Sequence, residues 1–287
     1  TMSKATLASV FTGLYPFDHG VRDNGSNYLK GDFQTVAEAA LENGYKTAFF
    51  SGGMPIQRNS GLNQGFEVFN DKIKVIKDAA FRPADQNILL FKNWFNSNVR
   101  QKNFFVSFYF KDLLFPHDQT HNNKAGNRSR SRQSQLLEVS ESIEDLLKFL
   151  KSQKQYNSST IILVGTNGHL SSLKKAELPP FSLRSENTQV TLLIKPPQKK
   201  RDLSLNWTID SNITLADIGN TIFDLLNVTN QNLSKIPNRL SPTYSLLSAI
   251  LENKPEWNKS RTIIVESGWP KWRGHASIRY AFRKQHY

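Results

Sequence analysis

Cysteine is absent from the 287 residues. That excludes a disulfide-stapled scaffold, a cysteine-ligated zinc ribbon and a cysteine nucleophile together. Long apolar runs are absent too: none approaches the roughly 20 residues that cross a bilayer as a helix. No basic leader with an apolar core and a small-residue cleavage site is visible. The chain opens on Thr1 in place of a methionine, and we expect that an upstream part has been cut away. Acidic residues are scarce: Asp+Glu number 24 against Lys+Arg 37, so 37 − 24 gives a formal net charge of +13. Such a balance favours an anionic substrate or a polyanion such as nucleic acid, acidic polysaccharide or anionic lipid. A generally basic composition gives the same charge with no such partner. No helix-turn-helix, zinc finger or aromatic RNA-binding motif supports nucleic acid as the specific partner.

What is present is a globular composition, 38% apolar and 21% charged, which excludes collagen-like, coiled-coil and wholly disordered chains. The length suits one large α/β domain, or a main domain with a small appendage. Periodicity predicts helices over Phe33–Asn43, Ala84–Val99, Ser134–Ser152 and Asn212–Leu226, the last with Asn212 or Thr214 as N-cap. Apolar, β-branched runs predict strands over Lys46–Phe50, Asn103–Phe110, Thr160–Val164 and Gln189–Ile194, with two late strands over Arg261–Glu266 and Ser277–Phe282. Alternating strands and helices imply an α/β fold, a mostly parallel mixed sheet sandwiched between helices. Sites in such folds lie in loops beyond the carboxyl ends of strands, which singles out the loops after Phe110 and Val164. Lys111–Gln133 and Pro196–Asn206 read as polar surface loops. Near Ser241 we expect the chain to leave a main domain of residues 1–240 and begin a small antiparallel subdomain over 241–287.

The segment Ser3-Lys4-Ala5-Thr6-Leu7-Ala8-Ser9-Val10-Phe11-Thr12-Gly13-Leu14-Tyr15-Pro16, followed by Asp18-His19-Gly20-Val21, resembles the signature of the sulfatase family within the alkaline-phosphatase-like superfamily. The resemblance continues, in order, through Thr35–Phe50, Gln64-Gly65-Phe66, Phe104–His117, Ile143–Gly168 and Gln189–Ile194. It implies the sulfatase-like fold, hydrolysis of a sulfuric or phosphoric ester, and a place in the cell envelope or outside the cell.

Residue by residue, the resemblance puts the nucleophile slot on Ser3, where family members carry Cys or Ser, in some converted to formylglycine. The slots that hold Pro and Arg in the family hold Ala5 and Leu7 here, and Leu7 cannot bind ester oxygens. The family's divalent metal, calcium or magnesium, takes acidic residues from an upstream strand outside this chain and an Asp-Asn or Asp-His pair from a later loop. That pair falls on Thr166 and Asn167, with His169 as a substitute if the register shifts. A hydroxyl in place of a carboxylate suits a hard cation poorly, so weak or absent metal binding is expected. His117 occupies the substrate-side histidine position, from which an imidazole can donate to a leaving oxygen. The family's lysine has no clear match: Pro179 and Pro180 lie near its slot, with Lys174 and Lys175 a few residues earlier. His19 reads as structural.

The residues alone leave plainer readings open. Ser3 can simply cap the helix that follows, Asn167-Gly168 can form a turn, and His117 can be a loop histidine. Arg128, Arg130 and Arg132 read as a solvated loop or a phosphate- or sulfate-binding one. Trp269-Pro270-Lys271-Trp272-Arg273 reads as the cover of a core edge or a stacking platform. Two functions are therefore expected: a metal-assisted ester hydrolase, or a catalytically degenerate relative that binds a polyanion or anionic lipid headgroup.

Overall fold

The computed structural model describes residues 2–25, 27–73, 81–99, 102–113, 132–166, 168, 183, 185–198, 208–252, 257, 261–267 and 279–284. Two compact units are present: residues 1–39 with 160–287, and residues 40–159. The first contains α1 (Ser3–Thr12) and α2 (Pro16–His19). Later it contains β4 (Ile161–Val164), α6 (Ser185–Thr188), β5 (Leu192–Lys195) and α7 (Leu215–Leu225). It ends with α8 (Asn232–Lys235), α9 (Leu247–Glu252), β6 (Thr262–Ser267) and β7 (Arg279–Lys284). Helix α3 (Val36–Glu42) carries the chain into the second unit, which holds β1 (Lys46–Ser51), β2 (Val68–Asn70), α4 (Ala84–Asn98), β3 (Phe104–Tyr109) and α5 (Arg132–Ser152).

The second unit is built on a parallel sheet of order β2-β1-β3, with Ala48 opposite both Val68 and Val106. Central β1 reads as a continuous apolar run because both its faces are covered, and Ala48, Phe49 and Phe50 are fully buried. Its one internal hydroxyl, on Thr47, donates to Gly65 O at 2.7 Å and accepts from Glu67 N–H. Phe91 and Phe95 of α4 and Phe149 of α5 meet edge to face, with centroids 5.4 to 5.9 Å apart, an arrangement that stabilises beyond area burial alone. Pro83 offers α4 no side-chain cap, and Asp112, just past β3, accepts from Ala84 N–H at 2.9 Å instead.

In the first unit α1 packs on α7. The approach is close at two glycines. A methyl on Gly219 would stand 2.5 Å from Val10 O and 2.7 Å from Gly13 N. Gly13, at φ 69°, ends α1 in the left-handed conformation that glycine adopts most easily. Three buried asparagines then satisfy the end of the helix. Asn230 and Asn232 each donate to Thr12 O, and Asn220 donates to Gly13 O, all at 3.0 Å. Asp217 Oδ2, at the start of α7, accepts from Thr214 N–H, Thr214 Oγ1–H and the buried Arg261 guanidinium, while Oδ1 accepts from Tyr244 N–H. Thr214 is thus the N-cap of α7, one of the two expected candidates.

Strands β4 and β5 pair antiparallel, with Leu163 opposite Leu193, and β6 and β7 form a second antiparallel pair. The architecture is the expected mixed α/β one. Observed boundaries lie within three residues of expectation: α3 starts three later, after Thr35 and Glu38 form a reciprocal capping box. Strand β2, too short for periodicity to register, was not expected.

Gly219→Ala is expected to destabilise the protein by about 2 kcal/mol or more, because the added methyl meets backbone rather than a movable side chain. Urea titration followed by circular dichroism measures it, and an unchanged midpoint would contradict the close approach.

Candidate functional site

Helix α1 is buried along its whole length, including its polar residues Ser3, Lys4, Thr6, Ser9 and Thr12. Ser3, the nucleophile candidate, is the first helical residue and 5% exposed. The preceding Met2 is extended and gives no side-chain cap. The cap comes from twenty residues away: Asn24 Oδ1 accepts from Lys4 N–H at 3.0 Å. Lys4 Nζ donates to Gly25 O at 2.5 Å and Asn27 O at 2.8 Å. Asp23 folds this segment on itself, accepting from Gly25 N–H at 2.6 Å and Asn27 Nδ2–H at 3.1 Å. Burial lowers the proton affinity of Lys4, and the neighbouring Asp23 charge partly restores it.

One turn on from Ser3, on the same helix face, Thr6 Oγ1–H donates to Thr166 O at 3.1 Å. Thr166 follows β4, and Gly165 before it donates its N–H to Thr191 O beside β5. The first turn of α1 and the loop after β4 are therefore in direct contact. Of the other candidates, His117, Asn167 and His169 lie outside the described residues. So do Lys174, Lys175, Arg128, Arg130 and the tryptophan segment over 269–273. Leu7 is buried, 6% exposed, as an apolar residue of α1.

Ser9 and His19 form a serine–histidine pair, with Oγ and Nε2 3.0 Å apart. It is not a nucleophile–base pair. His19 Nδ1 accepts from Val21 N–H, so in the neutral ring Nε2 carries the proton and donates to Ser9. Burial pushes the His19 pKa down to about 3, and the Arg22 charge acts in the same direction. His19 is a structural residue.

The described donors here, Ser3, Thr6, Lys4 and Thr166, include no carboxylate, and hard divalent cations prefer charged oxygen ligands. Among the described residues no group of three or more His, Asp or Glu side chains could hold a metal ion. The described members of this set suit a calcium or magnesium ion poorly, and Asn167 and His169 lie outside them. Sequence reasoning missed Lys4, Asn24 and Thr6 as parts of the site. The turn signal in Asp23-Asn24-Gly25 was visible, but not the helix end that it serves.

The family model for Sulfatase matches residues 1–228. No curated protein matches the chain. Among solved structures, the phosphonate monoester hydrolase of Agrobacterium radiobacter superposes with a TM-score of 0.68 at 16% identity, covering 99% of this chain and 76% of that one. The phosphonate monoester hydrolase SpPMH from Silicibacter pomeroyi gives 0.61 at 14%, covering 98% and 75%. BT4656, solved with its substrate D-glucosamine-2-N,6-O-disulfate, gives 0.65 at 15%, covering 99% and 78%. At these identities the likeness establishes the fold.

Because native His19 stays neutral down to about pH 3, the unfolded chain binds a proton that the native one refuses below the ordinary histidine value of about 6.5. Stability therefore falls as pH drops through that window, at a rate approaching about 1.4 kcal/mol per pH unit from this one group. His19→Gln is expected to remove that part of the slope between pH 6 and pH 4, roughly the middle of the window. Urea midpoints across pH test it, and parallel curves for variant and wild type would contradict it.

Proposed function

Since the chain belongs to the sulfatase family, we propose that it hydrolyses a sulfate, phosphate or phosphonate ester, with Ser3 as the nucleophile or its precursor. The observation that carries this reading is the Thr6–Thr166 hydrogen bond, which spans 160 residues of sequence. It joins the helix turn in the nucleophile slot to the loop in the metal slot. Ser3 also stands at the N-terminus of a ten-residue helix, where backbone N–H groups and the helix dipole favour a developing anion. The net charge of +13 favours approach of an anionic ester. The resemblance gives His117 the transfer of a proton to the leaving oxygen, and Thr166, Asn167 and His169 the lining of the metal loop. Sulfatase-family proteins are typically metal-dependent, yet the hydroxyl-bearing set described above suits a hard cation poorly, and no step is routed through one.

Two observations favour a second reading, a degenerate relative that binds a polyanion or an anionic headgroup without turnover. Leu7 is buried where the family carries arginine, and Thr166 stands where it carries a carboxylate.

Turnover separates the two. On the hydrolase reading, para-nitrophenyl sulfate, phosphate or phenylphosphonate is cleaved, and Ser3→Ala lowers kcat by about a thousandfold or more. Elemental analysis of the purified chain then reports whether a divalent ion accompanies activity. No turnover of any ester, with steeply salt-dependent binding to a sulfated polysaccharide, would replace the hydrolase reading with the second one.

A further inference from the structure

We propose that Lys4 is a positioning residue that fixes the first turn of α1, and with it Ser3, by strapping Asp23, Asn24, Gly25 and Asn27 against the helix N-terminus. This inference rests on the reading of Ser3 as a nucleophile. Both ends of Lys4 are used. Its backbone N–H is held by Asn24 Oδ1, and its ammonium is held by Gly25 O and Asn27 O. These contacts come from one short segment, which Asp23 closes through Gly25 N–H and Asn27 Nδ2–H. The backbone of the residue after Ser3 is thereby anchored to a folded loop, in place of the side-chain cap that Met2 does not provide.

An ammonium is an expensive filler for a buried position. Lys4 is 5% exposed, its contacts are neutral carbonyls, and burial works against its charge. An apolar side chain would fill the same space without that penalty, but it could not reach two carbonyls at once. What the lysine adds is geometric. The opposite side of the same turn is tied by Thr6 to the loop after β4. With both ties in place, the turn has little freedom to tilt or unwind. Displacing a reacting atom by about 1 Å costs on the order of a hundredfold in rate. Lys4 does not itself take part in the chemistry. At adjacent helical positions its side chain and that of Ser3 do not face each other.

The test uses the full chain and its variants Lys4→Met, Lys4→Arg and Asn24→Ala, with whichever para-nitrophenyl ester the wild type cleaves. Lys4→Met is expected to lower kcat by about 10- to 100-fold while KM stays within about threefold. Lys4→Arg, which can still donate to both carbonyls, is expected to recover most of that loss. Amide hydrogen exchange at residues 5–7 and 23–27 is expected to quicken at least about tenfold in Lys4→Met, with α7 unchanged. Asn24→Ala, a milder change should Lys4→Met fail to fold, is expected to shift kcat and exchange in the same direction. Unchanged exchange in the variants would overturn the strap. Quickened exchange with an unchanged kcat, or a loss confined to KM, would overturn the positioning role. Wild type that cleaves no ester would sink the hydrolase reading instead, an outcome distinct from both.

Discussion

A helix buried on every side has no solvent face to which it can turn its polar residues, and α1 is such a helix. Its polar groups need partners, most of them from elsewhere in the first unit, because an unpaired buried polar group is costly. Lys4 finds the carbonyls of Gly25 and Asn27, Thr6 that of Thr166, Ser9 the ring of His19, and Thr12 Oγ1 the carbonyl of Ala8. Beyond the last turn, Asn220, Asn230 and Asn232 take up the carbonyls of Gly13 and Thr12. Much of the rest of the unit is arranged around these demands. The glycines at the α1–α7 crossing let the backbones approach closely enough for the asparagine amides to reach. The buried Asp217–Arg261 pair, 2.5 Å apart, then holds the start of α7 against the residue that begins the run into β6.

The same constraint gives the candidate site its character. Ser3 is buried at the first position of α1 and shares that helix with Lys4, Thr6 and Leu7.

Most of the fold was legible in the sequence, and the reasons are local. Residues 46–51 form a strand because a β-branched, apolar run with covered faces has few other options. Helix α4 shows its buried stripe at Ile88, Phe91 and Phe95. The capping box of Thr35 and Glu38 is written within four residues, yet the expected helix began at Phe33 and overran it. Legibility ends where a helix end is satisfied from far away. Met2 and Pro83 look like poor starts, and the acceptors that complete α1 and α4, Asn24 and Asp112, lie 20 and 28 residues beyond the N–H groups they serve. The antiparallel direction of β5 was hidden too, since strand sense is fixed by connections and not by composition. Of the candidate site, the family signature pointed to Ser3 and Thr166. The link between them through Thr6 was invisible, because a threonine inside a buried helix carries no sign of the carbonyl it will meet.

The division of the chain has a consequence for how the protein comes to be folded. Residues 40–159 form one uninterrupted unit, whereas the other is assembled from the two ends of the chain. The partners of α1 are remote: Asn220, Asn230 and Asn232 lie 207 to 220 residues from the carbonyls they bond. Contacts of such separation form late, since loop closure must precede them. During synthesis the middle unit has all its strands and helices available while α1 still lacks α7. The segment that carries the candidate nucleophile thus emerges well before the elements that enclose it.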